Sequence, residues 1–239
     1  KALRQVYIRE LEKMSRELET PDYFRKRMVS QFLYKGPVLE WYAKIKVRME
    51  KSYTWFNAVI PPDASIVDVG CGYGFLAHIL CMVSDKRRIL GIDYDGEKIA
   101  VASQISTSMQ NVRFKEADIL HYELPGADVF LLLDVLHYLP SEHHQTVIEK
   151  CMEKLNPGGF MILRDADEDL ASGIWSTKFR EFNSTRFFRF NKTNYAGLSY
   201  TSGTKISEIA RRNNFMVERV ENPSNKTDVI FVLKKHIGN

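Results

Sequence analysis

The segment Asp68-Val69-Gly70-Cys71-Gly72-Tyr73-Gly74 places three alternating glycines behind an acid. A strand turning sharply into a helix needs residues that tolerate φ > 0, and glycine lets a ligand reach the backbone without a Cβ in the way. The helix that follows then presents free N–H groups to a carboxylate or phosphate. The spacing is G-x-G-x-G, not the G-x-G-x-x-G of nicotinamide-dependent dehydrogenases, which use a related turn. Further acids stand where successive apolar runs end. Asp93 comes nineteen residues after Gly74, where a carboxylate can accept both ribose hydroxyl hydrogens. Asp118 is placed to accept from an adenine amino group, with the Ile119 N–H directed at the ring. Asp134 is placed near an amino-acid end of such a ligand. One such acid is more often a helix cap; four in register after four strands point to a nucleotide-type site.

These residues must sit on one edge of a sheet, and the pattern around them supplies it. Ser65–Val69, Arg88–Ile92, Val112–Ala117, Asp128–Asp134 and Phe160–Leu163 read as strands. Between them run helical stretches: Phe75 to Val83, Gly96 to about Met109, and a helix capped by Ser141 and reaching about Leu155. Strands alternating with helices imply right-handed crossovers and a parallel sheet covered on both faces. At the end, Lys205 to Asn213 is helical, and Met216–Val220 and Val229–Leu233 are strands. The turn Asn222-Pro223-Ser224-Asn225 between them is short enough only for an antiparallel pair. In front, Phe24, Met28 and Phe32 form one helical stripe, with Val29 and Leu33 beside them. Lys35-Gly36-Pro37 breaks it, Val38, Trp41, Tyr42, Ile45 and Met49 start a second, and Pro61-Pro62 closes the helical region.

Composition narrows the class. Over 239 residues, 44% hydrophobic and 12% aromatic content suffices for a packed core. The formal charge of +4 is uneven: residues 1–50 hold twelve Lys/Arg against seven Asp/Glu, so the remainder is slightly acidic. That argues against a nucleic-acid partner, which wants a strong basic patch. It leaves the front segment as a candidate for peripheral contact with anionic lipid head groups. Cys71, Cys81 and Cys151 show no metal-ligand spacing, so no metal is expected, and so few cysteines fit a reducing cytoplasm, with the inner membrane face as the place of any lipid contact. No apolar run reaches the roughly 18 residues of a membrane span.

Taken together, IVDVGCGYG, LGIDYD, FKEADIL, FLLLDVLHYLP and LNPGGFMIL resemble the successive motifs of class I methyltransferases over about residues 60–165. The resemblance implies an α/β fold: a doubly wound, mostly parallel seven-stranded sheet of the Rossmann-like methyltransferase kind, its last strand antiparallel, with a helical N-terminal cap. It implies S-adenosylmethionine as cofactor, with Gly70, Gly72 and Gly74 lining the methionine part, Asp93 holding the ribose, Tyr94 packing on adenine and Asp118 binding its amino group. The front segment DYFRKRMVSQFLYKGPVLEWY with this domain is also similar to the last part of bacterial fusions of a transporter, a lysophospholipid acyltransferase and a methyltransferase. That similarity implies a larger fusion protein and a lipid or acyl-derived acceptor.

The expected division is a helical extension or lid over 1–59 and a methyltransferase domain over 60–239, with an aromatic- and cation-rich substrate-side insert at about 165–202. Tyr34 and Lys35 are expected near the cofactor. No catalytic residue is assigned; His137, just past the fourth strand, is the histidine best placed to take a proton from a hydroxyl acceptor. Three subclasses are set aside. The Asn/Asp-Pro-Pro-aromatic motif of nucleic-acid amino methyltransferases is replaced by Asp134-Val135-Leu136-His137, no cysteine follows a proline, and the paired-glutamate loop of arginine methyltransferases is missing. The resemblance implies methyl transfer to oxygen of a lipid or acyl-derived small molecule. Its rivals are a nicotinamide-dependent oxidoreductase and a nucleotide-binding module without turnover.

Overall fold

A computed structural model describes residues 28, 29, 32, 37–166, 199–223 and 228–236. Tyr34, Lys35, the basic residues 25–27 and most of the insert, 167–198, lie outside the described residues. The strands are β1 (Ser65–Val69), β2 (Arg88–Asp93), β3 (Val112–Glu116), β4 (Ala127–Leu133), β5 (Leu155–Ala166), β6 (Phe215–Glu221) and β7 (Asp228–Lys235). They form one sheet in the order β3-β2-β1-β4-β5-β7-β6. The pairs from β3 to β5 are parallel. β7 inserts between β5 and β6 and runs antiparallel to both. Chain order reverses between β1 and β4, and there an open α/β sheet leaves a crevice at its carboxyl edge.

Alternation along the central strands explains the two layers. On β4, Val129 and Leu131 belong to one buried cluster and Phe130 and Leu132 to the other, all fully buried. Side chains alternate faces along a strand, so an uninterrupted apolar run fits only a sheet covered on both sides. One face carries α1 (Pro37–Met49), α2 (Tyr53–Val59) and α3 (Phe75–Val83). The other carries α5 (Ser141–Glu153) and α6 (Gly203–Arg212), while α4 (Gly96–Ile105) packs beside β2 and β3.

Several boundaries differ from expectation. α4 stops at Ile105 rather than near Met109. Ser141 is the first residue of α5 and caps nothing; Pro140, with extended ψ, holds the cap position. β5 begins at Leu155, because residues 156–159 are looped out between the Ala127–Leu155 and Val129–Phe160 pairs. Of the expected α1 stripe Tyr42 packs on the core, but Trp41 is 55% exposed, and Ala43 and Val47 are buried in its stead, with Leu39 beside them.

α1 and α2 share the core of the sheet. Arg87, 2% exposed, donates to the carbonyls of Ile60, Pro61, Asn57 and Leu80 and to the Asn57 side chain, tying the end of α2 to α3. Ser52 donates to the Asn222 side chain at 2.9 Å. Carbonyls at helix ends lack intrahelical partners, and a buried guanidinium satisfies several at once.

Candidate functional site

The glycine turn takes the conformation its spacing demands. Gly70, Gly72 and Gly74 have φ of 71°, 55° and 70°, a region unfavourable to side-chain-bearing residues. Their surroundings differ. A Cβ on Gly70 would strike Val135, and one on Gly74 would meet the Phe114 ring at 2.5 Å. A Cβ on Gly72 would meet no protein atom within 4 Å, so Gly72 borders the open side of the turn. Beneath it His78 lies between the carbonyls of Gly74 (2.6 Å) and Ala102 (3.2 Å), and burial pushes it down to about 4.

Asp93 does more than end β2. One carboxylate oxygen accepts the Gly72 N–H at 2.8 Å and the other the Asp95 N–H at 2.9 Å. Each oxygen keeps a further lone pair, so the same group can hold the turn and accept two ribose hydroxyls. Asp95 caps α4 by accepting from Glu97 and Lys98. The Tyr94 hydroxyl is buried without a hydrogen-bond partner, and burial, with Asp95 and Asp93 nearby, pushes it up to about 12. Such an orphaned group beside the turn fits a ligand-binding wall.

Asp118 is the more open acid. One oxygen accepts the Leu120 N–H at 2.9 Å, forming a tight turn whose backbone also bonds Asp118 to His121 and Tyr122. Lys150, from α5, donates to the carbonyls of Ile119 (2.8 Å) and Leu120 (3.3 Å) and clamps this turn from behind. Nothing local to 118–120 announces that lysine, and sequence reasoning missed it.

Asp134 is already engaged. Arg164 donates to both its oxygens, at 3.0 and 2.6 Å, and to Glu50 at 2.7 Å. Burial would raise the Asp134 carboxyl, but the adjacent Arg164 outweighs it and holds the group at about 2. Asp134 also has φ 59°, an uncommon conformation for a residue that bears a side chain. Asp68 is 4% exposed; burial, then the neighbouring Asp93, pushes it up to about 7, with Arg164 opposing in part. Burial with Asp68 and Asp93 raises the Cys71 thiol well above its usual range, which keeps it protonated and rules against a nucleophilic role.

Beyond Asp134, Leu136–Tyr138 form a short 3-10 turn. His137 Nδ1 lies 2.6 Å from Asp165 Oδ1, and the other oxygen of Asp165 accepts the His137 backbone N–H at 3.3 Å. Asp165 and Arg164 are consecutive residues near the carboxyl end of β5, a signal available in the sequence as two charges closing the apolar run Phe160–Leu163. The site therefore joins Gly70, Gly72, Asp93, Tyr94, Asp118, Ile119 and Asp134 along the carboxyl edge and adds Glu50, Lys150, Arg164 and Asp165.

The α1 helix reaches this edge. Tyr42 packs on Tyr73 of the glycine turn at 5.8 Å between centroids, and Phe32 meets Tyr73 edge-on at 6.4 Å.

Comparison with known proteins agrees with this geometry. Residues 66–159 match the family model of a methyltransferase domain. Trans-aconitate 2-methyltransferase of Deinococcus radiodurans is 33% identical over 48% of this chain and 44% of its own length. The mitochondrial ubiquinone biosynthesis O-methyltransferase of Saccharomyces cerevisiae is 25% identical over 67% of this chain and 49% of its own. The chain thus spans about half the length of these curated relatives. Among solved structures, the pyocyanin biosynthetic protein PhzM superposes with a TM-score of 0.65 at 16% identity, covering 82% of this chain and 58% of that one. Human N-acetylserotonin methyltransferase, solved with S-adenosylmethionine, gives 0.59 at 17%, covering 82% and 56%. The fold is the Rossmann-like class I methyltransferase fold, residues 66–159 match the model of a methyltransferase domain, and S-adenosylmethionine is the cofactor such a domain takes.

Proposed function

We propose that this class I methyltransferase domain transfers the methyl group of S-adenosylmethionine to an oxygen of a lipid or acyl-derived small molecule. The observation that carries the reading is the Gly72–Asp93 cradle. Three positive-φ glycines and a carboxylate that anchors the turn leave lone pairs for a ribose, and the site's other acids follow along the same edge. In this reading Gly70, Gly72 and Gly74 line the methionine part, Asp93 takes the ribose, Tyr94 packs on adenine, and Asp118 with the Ile119 N–H binds its edge. Asp134 and its arginine sit at the amino-acid end. Residues 37–59 belong to a lid that excludes water from the reacting atoms; the Tyr42–Tyr73 contact supports this.

Oxygen as acceptor is supported by the relative named for ubiquinone biosynthesis, an O-methyltransferase that aligns with two thirds of this chain. A lipid acceptor rests on the basic front segment and on its similarity to acyltransferase-linked fusions. The same segment is the proposed contact with an anionic membrane face, and no helix among the described residues is long and apolar enough to cross a membrane. The test is incubation with methyl-labelled S-adenosylmethionine and fractionated lipid extracts, followed by recovery of labelled product. Label in a neutral, extractable lipid that resists amide- and amine-selective chemistry is the expected result. Calorimetric binding of S-adenosylmethionine without label transfer to any fraction would leave a binding module, and tighter binding of a nicotinamide dinucleotide would leave an oxidoreductase.

A further inference from the structure

We propose that His78 is a positioning residue of the cofactor site: its ring Nδ1–H fixes the Gly74 carbonyl, and with it the shape of the glycine turn that receives the methionine part of S-adenosylmethionine. The inference rests on the methyltransferase reading above and adds to it a fully buried side chain that sets how tightly the turn binds.

Placement comes first. In the α3 segment FLAHILCMV a histidine stands among apolar residues, and it is fully buried. A buried polar group costs free energy unless it is hydrogen-bonded, so its partners show what it is doing there. They belong to the two helices that begin at the crevice. Nδ1 lies 2.6 Å from the carbonyl of Gly74, the residue that caps α3, and Nε2 lies 3.2 Å from the carbonyl of Ala102 in α4. α3 starts directly after the glycine turn, and α4 directly after Asp93, Tyr94 and Asp95. The ring is thus a spacer between the two segments that carry the site. Phe114 of β3 packs against it at 5.0 Å between centroids and leaves no room for a Cβ on Gly74.

Donors and acceptors decide which of the two contacts is a bond. Both neighbours are carbonyl oxygens, which only accept, and a neutral imidazole has one N–H. Burial pushes the ring down to about 4, so it is neutral at physiological pH. One nitrogen must then face an oxygen with its lone pair. That repulsion is far smaller at 3.2 Å than at 2.6 Å, so the proton sits on Nδ1 and donates to Gly74. The Gly74 carbonyl also accepts the His78 backbone N–H at 2.9 Å, so one residue holds that oxygen twice. The Ala102 carbonyl has the Ser106 N–H at 3.2 Å as its donor and needs no second one.

The turn needs such a brace. Glycine occupies positive and negative φ about equally readily, so three glycines within residues 70–74 leave the backbone soft unless something outside it fixes the peptides. Asp93 does this at one point by accepting the Gly72 N–H at 2.8 Å. His78 does it two residues on, at a carbonyl, with a donor. The Gly74 carbonyl and the Phe75 N–H belong to one planar trans peptide and point in opposite directions. With the oxygen drawn into the core, the first N–H of α3 is turned away from the core, where it has no intrahelical partner. A turn held in its binding shape beforehand loses less freedom when the ligand arrives, which raises affinity.

Two variants and one spectrum test this on the intact chain. Asparagine places an amide N–H where Nδ1 stands, whereas leucine supplies only apolar volume. By calorimetry, His78→Leu should bind S-adenosylmethionine and S-adenosylhomocysteine about tenfold more weakly than wild type, and His78→Asn within about twofold of it. Methylthioadenosine, which lacks the amino-acid end, should change by about twofold at most in either variant. In urea unfolding without cofactor the order should reverse, with the leucine variant more stable than the smaller, polar asparagine one. Wild-type affinity in His78→Leu, or affinities that follow stability across the variants, would make His78 a core residue and nothing more. In 15N NMR of the wild type, His78 should show the Nδ1–H tautomer; a predominant Nε2–H tautomer overturns the proposal even where a variant fails to fold. If the wild type binds no S-adenosylmethionine, the methyltransferase reading fails instead, and the tautomer alone decides whether the brace is built as described.

Discussion

Asp68 lies under the glycine turn with its carboxyl pushed up from 3.8 to about 7, chiefly by burial and then by Asp93. A raised carboxyl pKa means that the folded state holds a proton the unfolded chain has released. Stability then falls as pH rises, through a window that opens near 4 and closes near 7. With about 1.36 kcal/mol per pKa unit, the full penalty above pH 7 is about 4 kcal/mol. About 2.5 kcal/mol of that is incurred between pH 5 and pH 8, because the unfolded carboxyl is already ionised at pH 5. Asp68→Asn removes the titration and keeps the shape. We predict that the variant already exceeds wild type at pH 5 by about 1.5 kcal/mol, the part of the penalty incurred below that pH, since an amide stands in for the neutral acid. At pH 8 it should have gained a further ~2.5 kcal/mol relative to wild type. The assay is urea unfolding of both proteins at the two pH values without cofactor; every other titrating group cancels in the double difference. A double difference below about 0.5 kcal/mol would show that Asp68 ionises normally in the fold, and the argument from burial would be wrong. Saturating S-adenosylmethionine, by placing a cation near the acid, should shrink the wild-type pH slope.

Other perturbations test the remaining parts of the site. Asp93→Ala should weaken S-adenosylmethionine binding by roughly 1.5–3 kcal/mol, measured by calorimetry, since it deletes a charged acceptor and frees the Gly72 N–H. Gly72→Val should abolish binding more completely, because a β-branched residue is strained at φ 55° and its side chain fills the open side of the turn; normal affinity in a folded variant would make Gly72 a turn residue only. Arg164→Met leaves Asp134 and Glu50 with no guanidinium between them and should cost about 3–5 kcal/mol in chemical denaturation. Lys150→Met, which frees the 118–122 turn, should raise the KM for S-adenosylmethionine several-fold with kcat nearly unchanged, and Lys150→Arg should recover most of the loss.

Much of the architecture was legible because its signals are local. A run such as Ser65–Val69 followed at once by three alternating glycines specifies strand, turn and helix start through backbone sterics within ten residues. Apolar runs ending in Asp93, Asp118 and Asp134 mark the carboxyl edge, since strand direction and crossover handedness follow from the strand–helix alternation. Where the reading slipped, tertiary packing decided. Trp41 belongs to the same expected stripe as Tyr42, yet α1 is turned so that Ala43 and Val47, not Trp41, are buried in the core. The pairs that give the site its chemistry were also hidden. Arg164 and Glu50 stand 114 residues apart, His137 and Asp165 28, and Lys150 reaches a turn 31 residues upstream. Hydrogen bonds of this kind depend on which strands become neighbours and in what register, and no periodicity within a single segment encodes that. The sequence by itself determined that a glycine turn and a row of acids share one sheet edge. Only the folded sheet, by setting β4 beside β5, α1 against the turn and Glu50 against Arg164, decided which acids are engaged by partners and which histidine acquires a carboxylate.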